Sequence, residues 1–64
     1  MWPIGYFVGL RTLSLAANAI VEMKGLDTLV NLENLWLNEN EITRIQGLDN
    51  NTKLQKLYLS DNKI

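Results

Sequence analysis

At 64 residues the chain is under half the usual domain length, so it holds at most one domain and no large independent core. Ordering it costs about 1.5 kcal/mol per residue, roughly 100 kcal/mol in all; apolar burial in so small a fold only just offsets this, and stability is expected to be marginal unless the ends are covered. With 47% hydrophobic residues and a net charge of -1, the composition is that of an ordinary globular chain, not basic enough to track phosphates, which argues against a nucleic-acid partner.

The opening stretch Met1-Trp2-Pro3-Ile4-Gly5-Tyr6-Phe7-Val8-Gly9 is apolar. It lacks a basic leading region and a small-residue cleavage site, and it falls well short of the roughly 20 residues that cross a bilayer. It is read as neither signal peptide nor membrane span. With no basic residue it is a poor membrane-surface anchor as well. Cysteine is absent, which removes disulfides, thiolate metal sites and the disulfide-built cap of many extracellular proteins. The expected location is therefore inside the cell, in the cytoplasm, and the sequon Asn50-Asn51-Thr52 is expected to stay unglycosylated.

From Leu10 onward one interval organises everything. Leu10, Leu32 and Leu54 are spaced 22 residues apart, and so are Leu13, Leu35 and Leu57; Leu15, Leu37 and Leu59; Asn18, Asn40 and Asn62; and Ile20, Ile42 and Ile64. Gly25 pairs with Gly47, Leu26 with Leu48 and Met23 with Ile45 in the same register. Leu13 and Leu15 alternate with Thr12 and Ser14, the period-2 signature of a strand with one buried face. Leu35/Leu37 and Leu57/Leu59 repeat it, the last strand running from Lys56 to Leu59. A strand of about four residues cannot bury its leucines alone, so neighbouring repeats must stack and pair in parallel about 4.8 Å apart.

After each strand, Asn18, Asn40 and Asn62 stand where the chain turns from the sheet and backbone groups lose their partners. An amide carries both donors and an acceptor, so this column is expected to satisfy those groups from inside the turn. Gly25 and Gly47 suit backbone that a side chain would hinder. Asp27 and Asp49 suit the start of a short helical or 3₁₀ turn on the outer side.

The pattern L-x-x-L-x-L-x-x-N-x-I-x-x-I-x-G-L-x-x-L over Leu10 to Ile64 resembles the leucine-rich repeat family. Its 22-residue length is similar to the subfamily typified by a regulatory subunit of protein phosphatase 1 and a light chain of axonemal dynein. The resemblance implies an α/β fold: a right-handed solenoid with short parallel strands on the concave face and turns or 3₁₀ segments on the convex face. It also implies protein binding on the concave side and carries no catalytic residues. The repeats run 10–31 and 32–53, with a partial repeat at 54–64. Subtracting 22 aligns Met1 with Met23, Ile4 with Leu26 and Phe7 with Leu29, so 1–9 is a degenerate N-terminal cap, although Pro3 and Gly5 replace Gly25 and Asp27.

Two features leave alternatives open. Asn51 stands in the column of Leu29, so either a satisfied amide is buried or the backbone is displaced outward; burial without partners would cost about 1 to 3 kcal/mol. The chain stops at Ile64 within a repeat, with no polar cap, so either it is a piece of a longer protein or another copy covers the open end.

The outward strand positions form three columns: Thr12, Asn34 and Lys56; Ser14, Trp36 and Tyr58; Ala16, Asn38 and Ser60. Trp36 and Tyr58 share the exposed face on adjacent strands, where they either merely stack as neighbours or form a binding hot spot. The candidate partner-binding residues are Trp36, Tyr58, Asn34, Lys56, Asn38, Ser14 and Ser60. Glu39 and Asp61, in the column after Ala17, give the rim a mild negative character. Arg11 with Glu33, and Glu22 with Arg44, are expected surface ion pairs worth about 0 to 1 kcal/mol. Histidine and cysteine are absent, and no phosphate loop or carboxylate pair in a cleft is evident, so no catalytic, cofactor or metal residue is assigned and an enzyme is not expected. The expected function is a protein-binding module. The alternative is a self-associating structural piece whose open ends pair in a homodimer.

Overall fold

The computed structural model describes residues 7–64. Thr12–Ser14 (β1), Asn34–Trp36 (β2) and Lys56–Tyr58 (β3) form one parallel sheet in the order β1-β2-β3. The register is the one the 22-residue interval demands: Leu13 lies beside Leu35 and Leu35 beside Leu57, with the flanking columns Thr12, Asn34, Lys56 and Ser14, Trp36, Tyr58. Each strand has three residues rather than four. Cross-repeat bonding nevertheless runs on, because Leu15 N donates to Trp36 O and Leu37 N to Tyr58 O (both 2.8 Å), then Ala17 N to Asn38 O and Glu39 N to Ser60 O (both 3.0 Å).

Alternation along the strands sends the leucines to one side, where they meet the apolar residues of the returning chain. Met23, Leu26, Leu29, Leu32, Leu35, Leu37 and Ile42 form the fully buried core. Its centre is the middle of the stack. Leu35 and Leu37 are fully enclosed, while their column-mates Leu13, Leu15, Leu57 and Leu59 are half-buried, each having a neighbouring repeat on one side only among the described residues.

The asparagine column joins each repeat to the one before it. Asn40 Nδ2 donates to Leu37 O and Asn38 O in its own turn (2.9 and 3.3 Å) and to Leu15 O of the preceding repeat (3.0 Å), while its Oδ1 accepts from Ile20 N (3.1 Å). Asn62 repeats the arrangement one repeat later, on Leu59 O, Ser60 O, Leu37 O and Ile42 N. Among the described residues, Asn18 bonds Leu15 O and Ala16 O of its own turn.

Asn51 is buried, at 4% exposure, so the amide has gone inward and the backbone has not been pushed out. Its Nδ2 donates to Leu26 O and Leu29 O, each at 2.9 Å, whereas its Oδ1 is buried with no partner. The amide thus links the two outer turns but is only half satisfied.

Opposite the sheet the chain forms turns, one of the two alternatives expected there, with no 3₁₀ segment among the described residues. Leu29 N bonds Leu26 O (3.1 Å) and Leu32 N bonds Leu29 O (3.2 Å), and Asn51 N to Leu48 O and Leu54 N to Asn51 O (both 3.1 Å) repeat this in the next coil. These are β-turns in tandem, with Asp27 and Asp49 inside the first turn of each pair rather than capping a helix. Among the described residues there is no helix, so the helical half of the expected α/β class is replaced by turns. The reason is length: the few residues between Leu26 and Leu32 cannot repay the cost of nucleating a helix.

Gly25 and Gly47 adopt φ of 78° and 74°. A Cβ on Gly47 would also lie 3.2 Å from Met23 O, so glycine is needed there for both conformation and space. The expected pairs Arg11–Glu33 and Glu22–Arg44 do not form; the ion pair among the described residues is Lys63–Glu41, at 3.6 Å and well exposed. Glu22 accepts instead from Gln46 Nε2 (3.4 Å), and Glu33 meets Arg11 through the backbone, its N–H on Arg11 O at 2.7 Å. Of the expected cap, Met1 to Tyr6 lie outside the described residues; Phe7 and Val8 are exposed, and Val8 O accepts from Asn31 Nδ2 at 3.0 Å.

Because Asn40 joins two repeats whereas Asn18, among the described residues, bonds within its own turn, Asn40→Ala is expected to lower stability by about 2 kcal/mol and Asn18→Ala by less than about 1 kcal/mol. Urea midpoints of the two variants check this, and equal losses would mean that the cross-repeat bonds contribute nothing.

Candidate partner-binding surface

The sheet's second face is defined by what the first one buries. With Leu13, Leu35 and Leu57 turned inward, Ser14, Asn34, Trp36, Lys56 and Tyr58 are carried to the open side. Asn38 and Ser60 continue the same alternation just beyond the strand ends. The fold therefore brings all seven sequence-selected residues to one face.

Trp36 and Tyr58 are register partners, and their rings stack with centroids 5.1 Å apart and planes 12° from parallel. The spacing is close to the roughly 4.8 Å between neighbouring strands, so the sheet itself sets the stacking distance. Stacking does not hide the pair: Tyr58 remains 41% exposed and Trp36 is half-buried.

Around this slab the groups differ in how firmly they are held. Asn34 Nδ2 donates to Thr12 Oγ1 at 3.2 Å, tying the first column across two strands. Lys56 is exposed and takes no part in an ion pair among the described residues. Ser14 and Ser60 are exposed; Ser60 O accepts from Glu39 N. Asn38 is partly buried, its Oδ1 enclosed without a donor.

The rim holds what the sequence did not disclose. Ala17, Glu39 and Asp61 adopt φ of 58°, 60° and 60°, the left-handed region, in one column. Such a conformation costs a side-chain-bearing residue about 1 to 2 kcal/mol. The bonds from Ala17 N to Asn38 O and from Glu39 N to Ser60 O, with the asparagine amide closing each turn, offset it. A glycine or asparagine column would have signalled this backbone; here Asp61 alone is of a type that favours it, and alanine and glutamate are not.

Away from the sheet, Val21, Glu22, Thr43, Arg44 and Gln46 line a shallow open depression without a nucleophile–base arrangement. Among the described residues, no three His, Cys, Asp or Glu side chains come close enough to hold a metal ion. No helix among the described residues is long and apolar enough to cross a membrane.

A double-mutant cycle on Trp36→Ala and Tyr58→Ala, read by urea denaturation, is expected to give a coupling of about 1 kcal/mol, as for other stacked cross-strand aromatics. Strict additivity would mean that the rings touch without stabilising each other.

No individual characterised protein matches the chain. The profile for leucine rich repeats (2 copies) matches residues 8–50 and again residues 30–64. Repeats of this kind commonly mediate protein–protein interaction and are generally non-catalytic. Spanning all three strands and both asparagine-linked junctions, those matches establish that the chain belongs to the leucine-rich repeat family.

Proposed function

We propose that this chain is a protein–protein interaction module that docks a partner segment on the open sheet face, at Trp36 and Tyr58, with Asn34, Lys56, Asn38, Ser14 and Ser60 around them. The observation that carries the reading is the exposed aromatic stack. Two large rings held rigidly at the surface lose little conformational entropy on binding, and Trp and Tyr are enriched at binding hot spots. Three short strands offer a patch near the low end of interface sizes, so affinity from this chain alone is modest.

In this reading the repeats form a right-handed solenoid with the sheet on its concave side, in keeping with the 22-residue subfamily of the protein phosphatase 1 regulatory subunit and the axonemal dynein light chain. The module is not an enzyme and works inside the cell, in the cytoplasm, on a protein partner rather than on nucleic acid or membrane. The weakly negative net charge and the absence of cysteine support that placement.

Pull-down with the immobilised chain tests it. Proteins retained by the wild type are expected to be lost with Trp36→Ala and kept with Val30→Ala, a change at an exposed turn residue away from the sheet. Identical retention by all three would remove the sheet face from the function.

A second reading is favoured by how the apolar columns change along the stack. Met23 is 1% exposed and its column-mate Ile45 53%; Ile42 is 0% exposed and Ile64 62%. The apolar flank beyond β3 would be covered if two copies met there in a closed homodimer, which leaves no further open surface. Sedimentation velocity is then expected to show a dimer that dissociates on dilution, and a folded monomer at every concentration would rule this reading out.

A further inference from the structure

We infer that the partner segment presents an arginine to this face, its guanidinium laid on the Trp36 ring and turned toward the Glu39 carboxylate, with Asp61 adding negative charge further along the same rim. The inference rests on the sheet-face reading and names the chemistry that the face selects. Three separate observations converge on it.

The first is shape. The Trp36–Tyr58 stack runs across the strands, so Tyr58 covers Trp36 from the β3 side. On the β1 side the register partner of Trp36 is Ser14, a side chain too small to cover an indole. A flat group from the partner can therefore lie over Ser14 as a third layer of the stack. An aromatic ring, an amide or a guanidinium would fit.

The second is charge. Glu39 and Asp61 are exposed, occupy one column at the strand ends, and take no part in an ion pair among the described residues; the nearby Glu41, by contrast, is paired with Lys63. Their left-handed backbone is tied into the turns, so the two carboxylates stay on the same rim of the face. Lys56 lies at the opposite end of the aromatic slab. A cation is thus drawn to the Glu39/Asp61 side and repelled from the Lys56 side, which sets the direction in which a segment lies.

The third is an unmet acceptor. Asn38 lies between Trp36 and Glu39 in the chain, and its Oδ1 is enclosed and has no donor, so it meets a partner once the side chain turns outward. Its side-chain amide makes no hydrogen bond among the described residues, so swinging it toward a partner breaks none. Guanidinium has five N–H donors and no acceptor, is planar, and stacks on indole. An aromatic third layer would leave the carboxylates and Asn38 unserved, and a lysine ammonium is not flat.

The test uses a phage-displayed random heptapeptide library selected on the immobilised wild-type chain. Arginine is expected to be enriched among the binders, and a synthetic copy of the leading peptide should bind about tenfold more weakly when its arginine is replaced by the neutral isostere citrulline. Glu39→Gln with Asp61→Asn should weaken the arginine peptide to the same degree while leaving the citrulline peptide unchanged. Thermal melts check that this variant is folded, and asparagine suits the left-handed backbone at position 61. Peptides that need Trp36 but show no arginine preference would overturn the inference and leave the sheet-face reading standing. Peptides indifferent to Trp36→Ala, or a selection that yields no binder, would overturn both.

Discussion

An asparagine side chain ends in the same amide that forms the backbone, and Asn40 uses it as a peptide group borrowed by two repeats at once. Its Nδ2 reaches Leu37 O in its own turn and Leu15 O in the preceding one, and its Oδ1 takes the Ile20 N–H. Without it the chain could not leave the sheet sharply after three residues, because the carbonyls and N–H groups freed there would be stranded inside the stack. The leucine core presupposes this turn. Leu37 and Ile42, on either side of Asn40, are both fully buried only because the chain reverses between them.

The same constraint shapes the surface. Closing each turn around an asparagine places the preceding residue, Ala17, Glu39 or Asp61, in left-handed backbone, and so lines up two carboxylates at the end of the sheet. Inward-facing leucines leave the alternate positions outward, and the strand spacing lets Trp36 and Tyr58 meet as a stack. The features proposed for partner binding are in this sense by-products of making the repeats pile up. What varies freely is the identity of the outward residues, which is why one scaffold serves many partners.

Asn51 illustrates the limits of repetition. Its column holds leucine in the preceding repeat, yet the amide enters the core and joins the Leu26 and Leu29 carbonyls of that repeat to its own turn. The unmet Oδ1 is a local cost, set against two hydrogen bonds between neighbouring turns. A side chain with a donor is accepted at this apolar position because the neighbouring coil turns carbonyls toward it.

The 22-residue spacing of Leu13, Leu35 and Leu57 determined by itself that three short strands would pair in parallel and in which register, because leucines that cannot be buried singly have one way to be buried together. It likewise assigned Asn40 its task and brought Trp36 and Tyr58 to one face. Tertiary structure decided the rest. Of the turns or 3₁₀ segments expected on the outer side, tandem β-turns formed, too few residues separating Leu26 from Leu32 for a longer helix. Arg11 and Glu33 met through their backbones and formed no ion pair, since exposed charges gain little from pairing. Glu39 turned left-handed against its own preference. That last choice belongs to the Glu39 N–H bonded to Ser60 O of the next repeat, and glutamate itself does not announce it.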